Sequence, residues 1–263
     1  MDLIVTLIGL LLIGLVVFDF LVTTIGAASF SPISKFVARG AFAVVRRFPD
    51  GDLKHRLSGV AVMSAIATWW IVGHASGWTL VFAGVEDAVV NSDTQSAASL
   101  TGIASHVGHL LSTVGGGITE PRSAGWSLLG VLVGVNGMVV LTLSVSFVLS
   151  TTQTVARGRA LLKKVDVISH VGNHDDRMLL FEVADLVAML NAAPFALYYS
   201  AADAERRLPS GLTKLMDDWP PSSQSHLWTI LDELPWLELS EKPDDVTSEF
   251  HSWAARYSAS PGQ

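Results

Sequence analysis

The sequence predicts an all-α membrane protein: three transmembrane helices, a short re-entrant helix followed by a glycine-rich loop, and a small helical cytoplasmic domain. Three observations predict it. Half of the 263 residues are apolar and only 16% are charged, with a mean hydropathy of +0.45, where soluble domains carry about a quarter charged residues. The apolar residues gather in three long blocks. Between the second and third block lies an apolar stretch too short to cross a bilayer.

A membrane helix needs about 20 mostly apolar residues. Leu3 to Ile25 supplies the first span, interrupted by Asp19; Val60 to Phe82 supplies the second, with Trp69, Trp70, His74 and Trp78 inside it; Trp126 to Leu149 supplies the third, broken only by Asn136 and small hydroxyls. A secretory signal would open with a basic stretch, but no Lys or Arg precedes Lys35, so the first block is read as a retained helix. Basic residues set the orientation. Lys35, Arg39, Arg46, Arg47, Lys54 and Arg56 lie between the first two spans, and Arg157, Arg159, Lys163 and Lys164 follow the third, whereas the loop from Gly84 to Gly125 holds Arg122 alone. This pattern predicts a multi-pass protein of the cell membrane with its N-terminus outside and its C-terminus in the cytoplasm.

The domain organisation follows: residues 1–27 form an N-terminal transmembrane helix, 28–57 a basic cytoplasmic linker, 58–152 the central membrane domain, and 153–263 an acidic helical cytoplasmic domain. Residues 1–164 carry 11 Lys and Arg against 8 Asp and Glu, and residues 165–263 carry 6 against 16. An acidic tail repels nucleic acid, which excludes a nucleic-acid partner. With no cysteine, disulfides and thiolate metal sites are excluded.

The outer loop is the most informative segment. Glu86 to Ser96 is polar and reads as an exposed turret. Ala97 to Ser112 is moderately apolar, with Leu100, Ile103, Ala104, Val107, Leu110 and Leu111 at mostly helical spacing. About 16 residues at about 1.5 Å each cannot cross the hydrocarbon, so a re-entrant helix is expected. Thr113-Val114-Gly115-Gly116-Gly117-Ile118-Thr119-Glu120-Pro121 follows it. Three successive glycines relax the limits on φ and ψ, and non-helical backbone at membrane depth needs protein or a water-filled cavity to satisfy it. Carbonyls arranged in a ring can replace the hydration shell of a monovalent cation, and the preceding helix would turn its negative C-terminal end toward that ion.

In these residues the segment resembles the pore loop of tetrameric potassium channels, whose filter reads Thr-Val-Gly-Tyr-Gly-Asp. Thr113, Val114, Gly115 and Gly117 match that filter, Pro121 matches a proline common just after it, and Gly137 falls where many such channels place a hinge glycine. The resemblance covers roughly residues 60–150 and extends to a bacterial subgroup with an extra N-terminal helix carrying Asp and Thr, here Asp19, Thr23 and Thr24. It implies a re-entrant pore helix and filter loop, a homotetramer in the lipid bilayer, ion binding by Thr113, Val114, Gly115, Gly116 and Gly117, an outer mouth at Glu120 and a gating hinge at Gly137. The function implied is passive conduction of K+, with no cofactor, no metal beyond monovalent cations in the filter and no enzymatic activity. Two positions depart from the family: Gly116 replaces its usual aromatic residue and Ile118 its usual Asp. Both normally brace the filter, so a poorly selective channel that also passes Na+ is the first alternative. A non-conducting membrane anchor or sensor that binds a cytoplasmic partner is the second.

Other polar residues admit plainer readings. Asp19 inside a span is costly and is expected to hydrogen-bond Thr23 or a neighbouring helix. Asn136 is expected to pack against protein, leaving Met138, Leu141, Val145 and Leu149 as the lining stripe. Gly130, Gly134 and Gly137 stand at small-residue spacing, which admits close helix contact. His106 and His109, three apart, read as packing residues, with sensing of external pH as the alternative. Val171-Gly172-Asn173-His174-Asp175, beside His170 and Asp176, resembles one block of metallophosphatases, but the further Asp and His blocks that a two-metal site needs are missing. In the tail, Asp175 to Ala192 has apolar residues at helical spacing, and further helices are expected at Ala201–Leu208, Gln224–Leu234 and Asp245–Tyr257, with disorder at Ser258–Gln263. No G-x-G-x-x-G pattern occurs there, and the domain is read as assisting assembly or gating, with no ligand assigned.

Overall fold

The computed structural model describes residues 2–25, 32–115, 117–171, 176–238 and 246–259. They form nine α-helices and one two-stranded ribbon: α1 (Leu3–Thr24), α2 (Pro32–Arg46), α3 (Asp52–Ala83), β1 (Val89–Asn91), α4 (Leu100–Leu111), β2 (Thr119–Pro121), α5 (Ala124–Val171), α6 (Asp176–Ala192), α7 (Leu208–Asp217), α8 (Gln224–Leu231) and α9 (Val246–Ala255). Short 3-10 turns at Pro194–Tyr198 and Ala204–Arg206 lie between α6 and α7. Three helices, α1, α3 and α5, are long and apolar enough to cross a membrane. At about 1.5 Å per residue, α5 reaches about 72 Å, more than twice the hydrocarbon thickness of about 30 Å, so its C-terminal part lies beyond the bilayer.

Two compact units are present, residues 1–21 with 67–146, and residues 22–66 with 147–263. In the first, α1 lies close against α3 because glycines remove side chains where the helices meet. A Cβ on Gly73 would stand 2.6 Å from Val16, and one on Gly77 2.6 Å from Ile13. The core of this unit joins Trp78, Val81 and Phe82 of α3 to Val89, Ile103, Val107 and Val133. The Glu86–Ser96 stretch is therefore no uniformly exposed turret: Ala88, Val89 and Val90 are buried, and Val89–Asn91 pairs antiparallel with Thr119–Pro121. Strands of three residues are too short to show alternation in sequence. An Arg122–Asp87 ion pair of 3.1 Å closes the ribbon.

In the second unit the expected linker contains a helix. α2 buries Ser34, Ala38, Phe42 and Val45 along one stripe and leaves Phe36 77% exposed. The Arg46 side chain donates to the Ala255, Arg256 and Ser258 carbonyls at the end of α9, a cation on the carbonyl end of a helix. Phe42 meets Tyr198 edge-on at 5.2 Å, and Tyr198 meets Tyr257 at 5.2 Å. Burial pushes both phenols up from their ordinary range. In the tail, α6 and α8 coincide largely with expectation. Leu208-Pro209-Ser210-Gly211 is the first turn of α7 rather than a separator, since proline is tolerated where N–H groups have no helical partner. The expected Ala201–Leu208 helix shrinks to the turn at Ala204–Arg206. Residues 260–263 of the expected disordered end lie outside the described residues.

The C-terminal end of α4 rests on the small-residue stripe of α5. A Cβ on Gly137 would stand 2.1 Å from the Leu111 carbonyl oxygen, closer than any real contact, whereas Gly14 has open space around it. Gly137→Ala should destabilise the protein in detergent by about 1–3 kcal/mol through overpacking, with Gly14→Ala close to neutral; thermal unfolding of both variants checks the difference.

Candidate functional site: the loop after α4

α4 begins at Ser99, whose hydroxyl accepts from the Gly102 N–H at 3.2 Å, an N-cap. It covers Leu100–Leu111, a shorter helix than the expected 97–112 because Ala97 pairs with Val90 in a bridge. Its end is a tight unwinding. The Ser112 N–H donates to Gly108 O at 3.0 Å and the Thr113 N–H to Leu110 O at 3.1 Å. Thr113 then takes φ +57°, a left-handed value rare for a β-branched residue. Gly115 follows at φ +63° and Gly117 at φ +146°, while Val114 between the first two is not left-handed. Gly116 lies outside the described residues.

Contacts from His106, His109 and Ser92 hold the described part of this strip. The Gly115 N–H donates to His109 O at 3.4 Å. The His109 ring lies against Gly117, where a Cβ would be 3.2 Å from its Cδ2. His106, buried and edge-on to Phe82, is 3.3 Å from the Thr119 hydroxyl through Nδ1. At the end nearer the ribbon, Ser92 donates to Ile118 O twice, from its N–H at 3.0 Å and its hydroxyl at 3.1 Å. Between these holds, the side chains of Val114 and Ile118 are 74% and 71% exposed.

Of the remaining predicted residues, Glu120 and Pro121 sit in β2, and the Glu120 carboxylate accepts from Gln95 Nε2 at 2.6 Å on the exposed side of the ribbon. Gly137 sits under Leu111, in an α5 that continues through it without a break. Leu110 packs over Gly130 and its carbonyl faces Gly134. Met138, Leu141, Val145 and Leu149 all stand exposed on α5. The structure thus brings Thr113, Gly115 and Gly117 into one strip and places Glu120 and Gly137 at separate points around it. Sequence reasoning missed Ser92 and Gln95, whose roles depend on the ribbon. It also gave His106 and His109 no contact with the loop, although their spacing puts them on one helix face.

The polar residues within the spans are partnered across helices. Asp19 is fully buried, and its Oδ2 accepts from the Trp69 indole at 3.1 Å and the Trp70 indole at 3.3 Å. Asn136 accepts from the Trp78 indole at 3.2 Å. Residues 172–175, the bulk of the phosphatase-like block, lie outside the described residues, and the side chains of His170 and Asp176 with them. Among the described residues no group of three His, Asp or Glu could hold a metal ion.

No known protein family matches the chain, and no solved structure matches it. It is similar to a curated Bacillus subtilis (strain 168) protein described as uncharacterized membrane protein YdjJ, 26% identical over an alignment of 210 residues, with 73% of this chain covered. The chain spans 61% of that relative's length.

Asp19→Leu should strand both indole donors and destabilise the fold by about 1–3 kcal/mol for each, while Asp19→Asn keeps an acceptor and loses less; unfolding titrations in mixed micelles rank the two. The three apolar helices, and the likeness to a membrane protein, make this chain a helical protein of the membrane.

Proposed function

We propose that the protein is a passive cation channel, with potassium as the permeant ion, whose filter is the strip Thr113–Gly117 in a homotetramer. The observation that carries this reading is the sign of φ along the strip: positive at Thr113, Gly115 and Gly117 and not at Val114. Left-handed residues at Thr113 and Gly115, on either side of Val114, turn the peptide planes between them so that N–H groups gather on one side and carbonyls on the other. A carbonyl ladder of this kind, repeated around an axis, can replace an ion's hydration shell. One copy cannot enclose an ion, and four can. The exposed Val114 and Ile118 side chains and the exposed stripe Met138, Leu141, Val145 on α5 supply apolar surface for the other copies. In this arrangement Glu120 places four carboxylates at the outer mouth, and Gly137 is the point about which the inner helix bends. The N-terminus and the loop holding the ribbon face outside, and residues 153–263 face the cytoplasm.

A poorly selective channel is the second reading. It is favoured by Gly116 and Ile118, which leave the strip braced by His109 and Ser92 instead of by an aromatic side chain and an Asp.

Gly115 tests the reading cleanly, because its surroundings are open and its left-handed φ is one that Asp tolerates. Reconstituted in liposomes, the wild type should pass potassium current, and Gly115→Asp should abolish it while remaining folded and tetrameric. Equal flux from both proteins, or none from the wild type, would end the channel reading in favour of the anchor. A reversal potential near that of potassium in mixed sodium and potassium supports selectivity, and one near zero selects the second reading. Because the chain lacks cysteine, orientation is read by single substitutions: an impermeant maleimide should label Ser92→Cys but not Ser222→Cys in intact cells.

A further inference from the structure

A pocket of about 540 Å³ lies between the part of α5 beyond the membrane and the segment from Asp203 to Pro220, within the roughly 300–1,000 Å³ of small-molecule sites. Leu162, Val165 and Ile168 of α5 face Leu215 and Trp219 across it, so its body is apolar. Four cations stand at its rim: Arg159, Lys163, Arg206 and Lys214. Three of them are already compensated. Lys163 pairs with Asp166 at 2.7 Å, Arg206 with Asp203 at 3.4 Å, and Lys214 with Glu205. The hydrogen bond that Lys214 donates to Glu205, with the nearby Asp218 carboxylate at the rim, holds the Lys214 ammonium above its ordinary value.

Arg159 differs. Among the described residues no carboxylate pairs with it, one amino group donates to Ser200 O at 3.0 Å, and its Nε is buried with no acceptor. Its neighbour in this stretch has the same deficit. Arg207, 2% exposed, donates from Nε to Ala201 O at 2.7 Å and from one amino group to Ala202 O at 3.2 Å, and its other amino group is buried without an acceptor. Two guanidiniums thus grip three consecutive carbonyls, and among the described residues no carboxylate forms an ion pair with either. Burial holds Arg207 below its ordinary value. A buried guanidinium N–H without an acceptor is costly, and an anion bound beside Arg159 would add the carboxylate or phosphate charge that its protein contacts lack.

We propose that this pocket binds a small organic anion, a single carboxylate or phosphate on a flat apolar body, with Arg159 as the anchoring cation and Leu215 and Trp219 against the body. Its floor is the same helix that forms the third span, so the ligand would bind on the extension of that helix. The inference does not rest on conduction, because binding itself is read.

Isothermal titration of the full chain in detergent uses adenosine 5′-monophosphate and 2-naphthoate as the two anionic probes, with adenosine and 2-naphthol as neutral counterparts. At least one anion should bind saturably and its neutral counterpart should not, and the arm that binds identifies phosphate or carboxylate. Arg159→Gln should weaken that binding by roughly tenfold or more, while Lys163→Gln, already paired, should leave it nearly unchanged. Should Arg159→Gln fail to fold, Ala160→Trp, at an exposed position on the pocket wall, fills the space without touching the cation and should abolish binding. No binding of either anion at millimolar concentration, or equal binding by the wild type, Arg159→Gln and Ala160→Trp, overturns the proposal.

Discussion

The last turn of α4 can lie on α5 only because residue 137 has no side chain. With the Leu111 carbonyl 2.1 Å from the place a Cβ would occupy, any larger residue would push α4 outward and take the loop with it. Gly134 and Gly130 extend the same shallow track, on which Leu110 lies, so Leu110 and Leu111 reach the core that Val107 and Ile103 already share with Phe82 and Val133. The helix end is then fixed in position, and the left-handed turn at Thr113 sends the chain into an extended strip. A β-branched residue at φ +57° costs of order 1–3 kcal/mol. That cost persists because the packing of α4 on one side and the β1–β2 ribbon on the other determine where the strip must start and finish.

His109 touches Gly117 and accepts from Gly115 through its carbonyl, and Ser92 grips the Ile118 carbonyl from the ribbon. The channels that this segment resembles brace the filter from behind with an aromatic residue and an Asp. Here the contacts come from α4 and the β1–β2 ribbon, residues that the Thr113–Gly117 segment itself does not contain. On the reading proposed above, the ion preference therefore depends on how stiff two hydrogen bonds from Ser92 and one imidazole contact can keep four copies of the strip.

The three spans were legible because about 20 consecutive apolar residues have few physical interpretations, and α4 because its apolar positions keep helical spacing over a length too short to span. α2 was not. Its buried stripe reads Ser34, Ala38, Phe42, Val45, while Phe36 and Val44 stand exposed, so composition reveals the basic residues and hides the periodicity. The ribbon escaped for want of length. The start of α7 escaped because Leu-Pro-Ser-Gly is turn chemistry as readily as a first helical turn. Within the site, the glycines and their order were visible, but Ser92, Gln95 and the two histidines depend on which residues the ribbon and α4 bring within reach. Asp19 was visible as an oddity; that Trp69 and Trp70 both serve it depends on the register of α1 against α3.

That register shows what the intramembrane polar groups accomplish. Inside a bilayer, helices gain little by hiding apolar surface from one another, so packing and interhelical hydrogen bonds decide how they meet. α3 carries the donors: Trp69 and Trp70 reach Asp19 of α1, and Trp78 reaches Asn136 of α5. It also carries Gly73 and Gly77, which admit α1 at close range. An acid buried in a span is a poor source of net stability, yet it discriminates sharply among rotations, since turning α1 by one residue would bury the carboxylate away from both indoles. Likewise Asn136 fixes α5 so that Gly137, the next residue, faces α4. The acid and the amide thus select the one helix arrangement in which the glycine track can receive the end of α4.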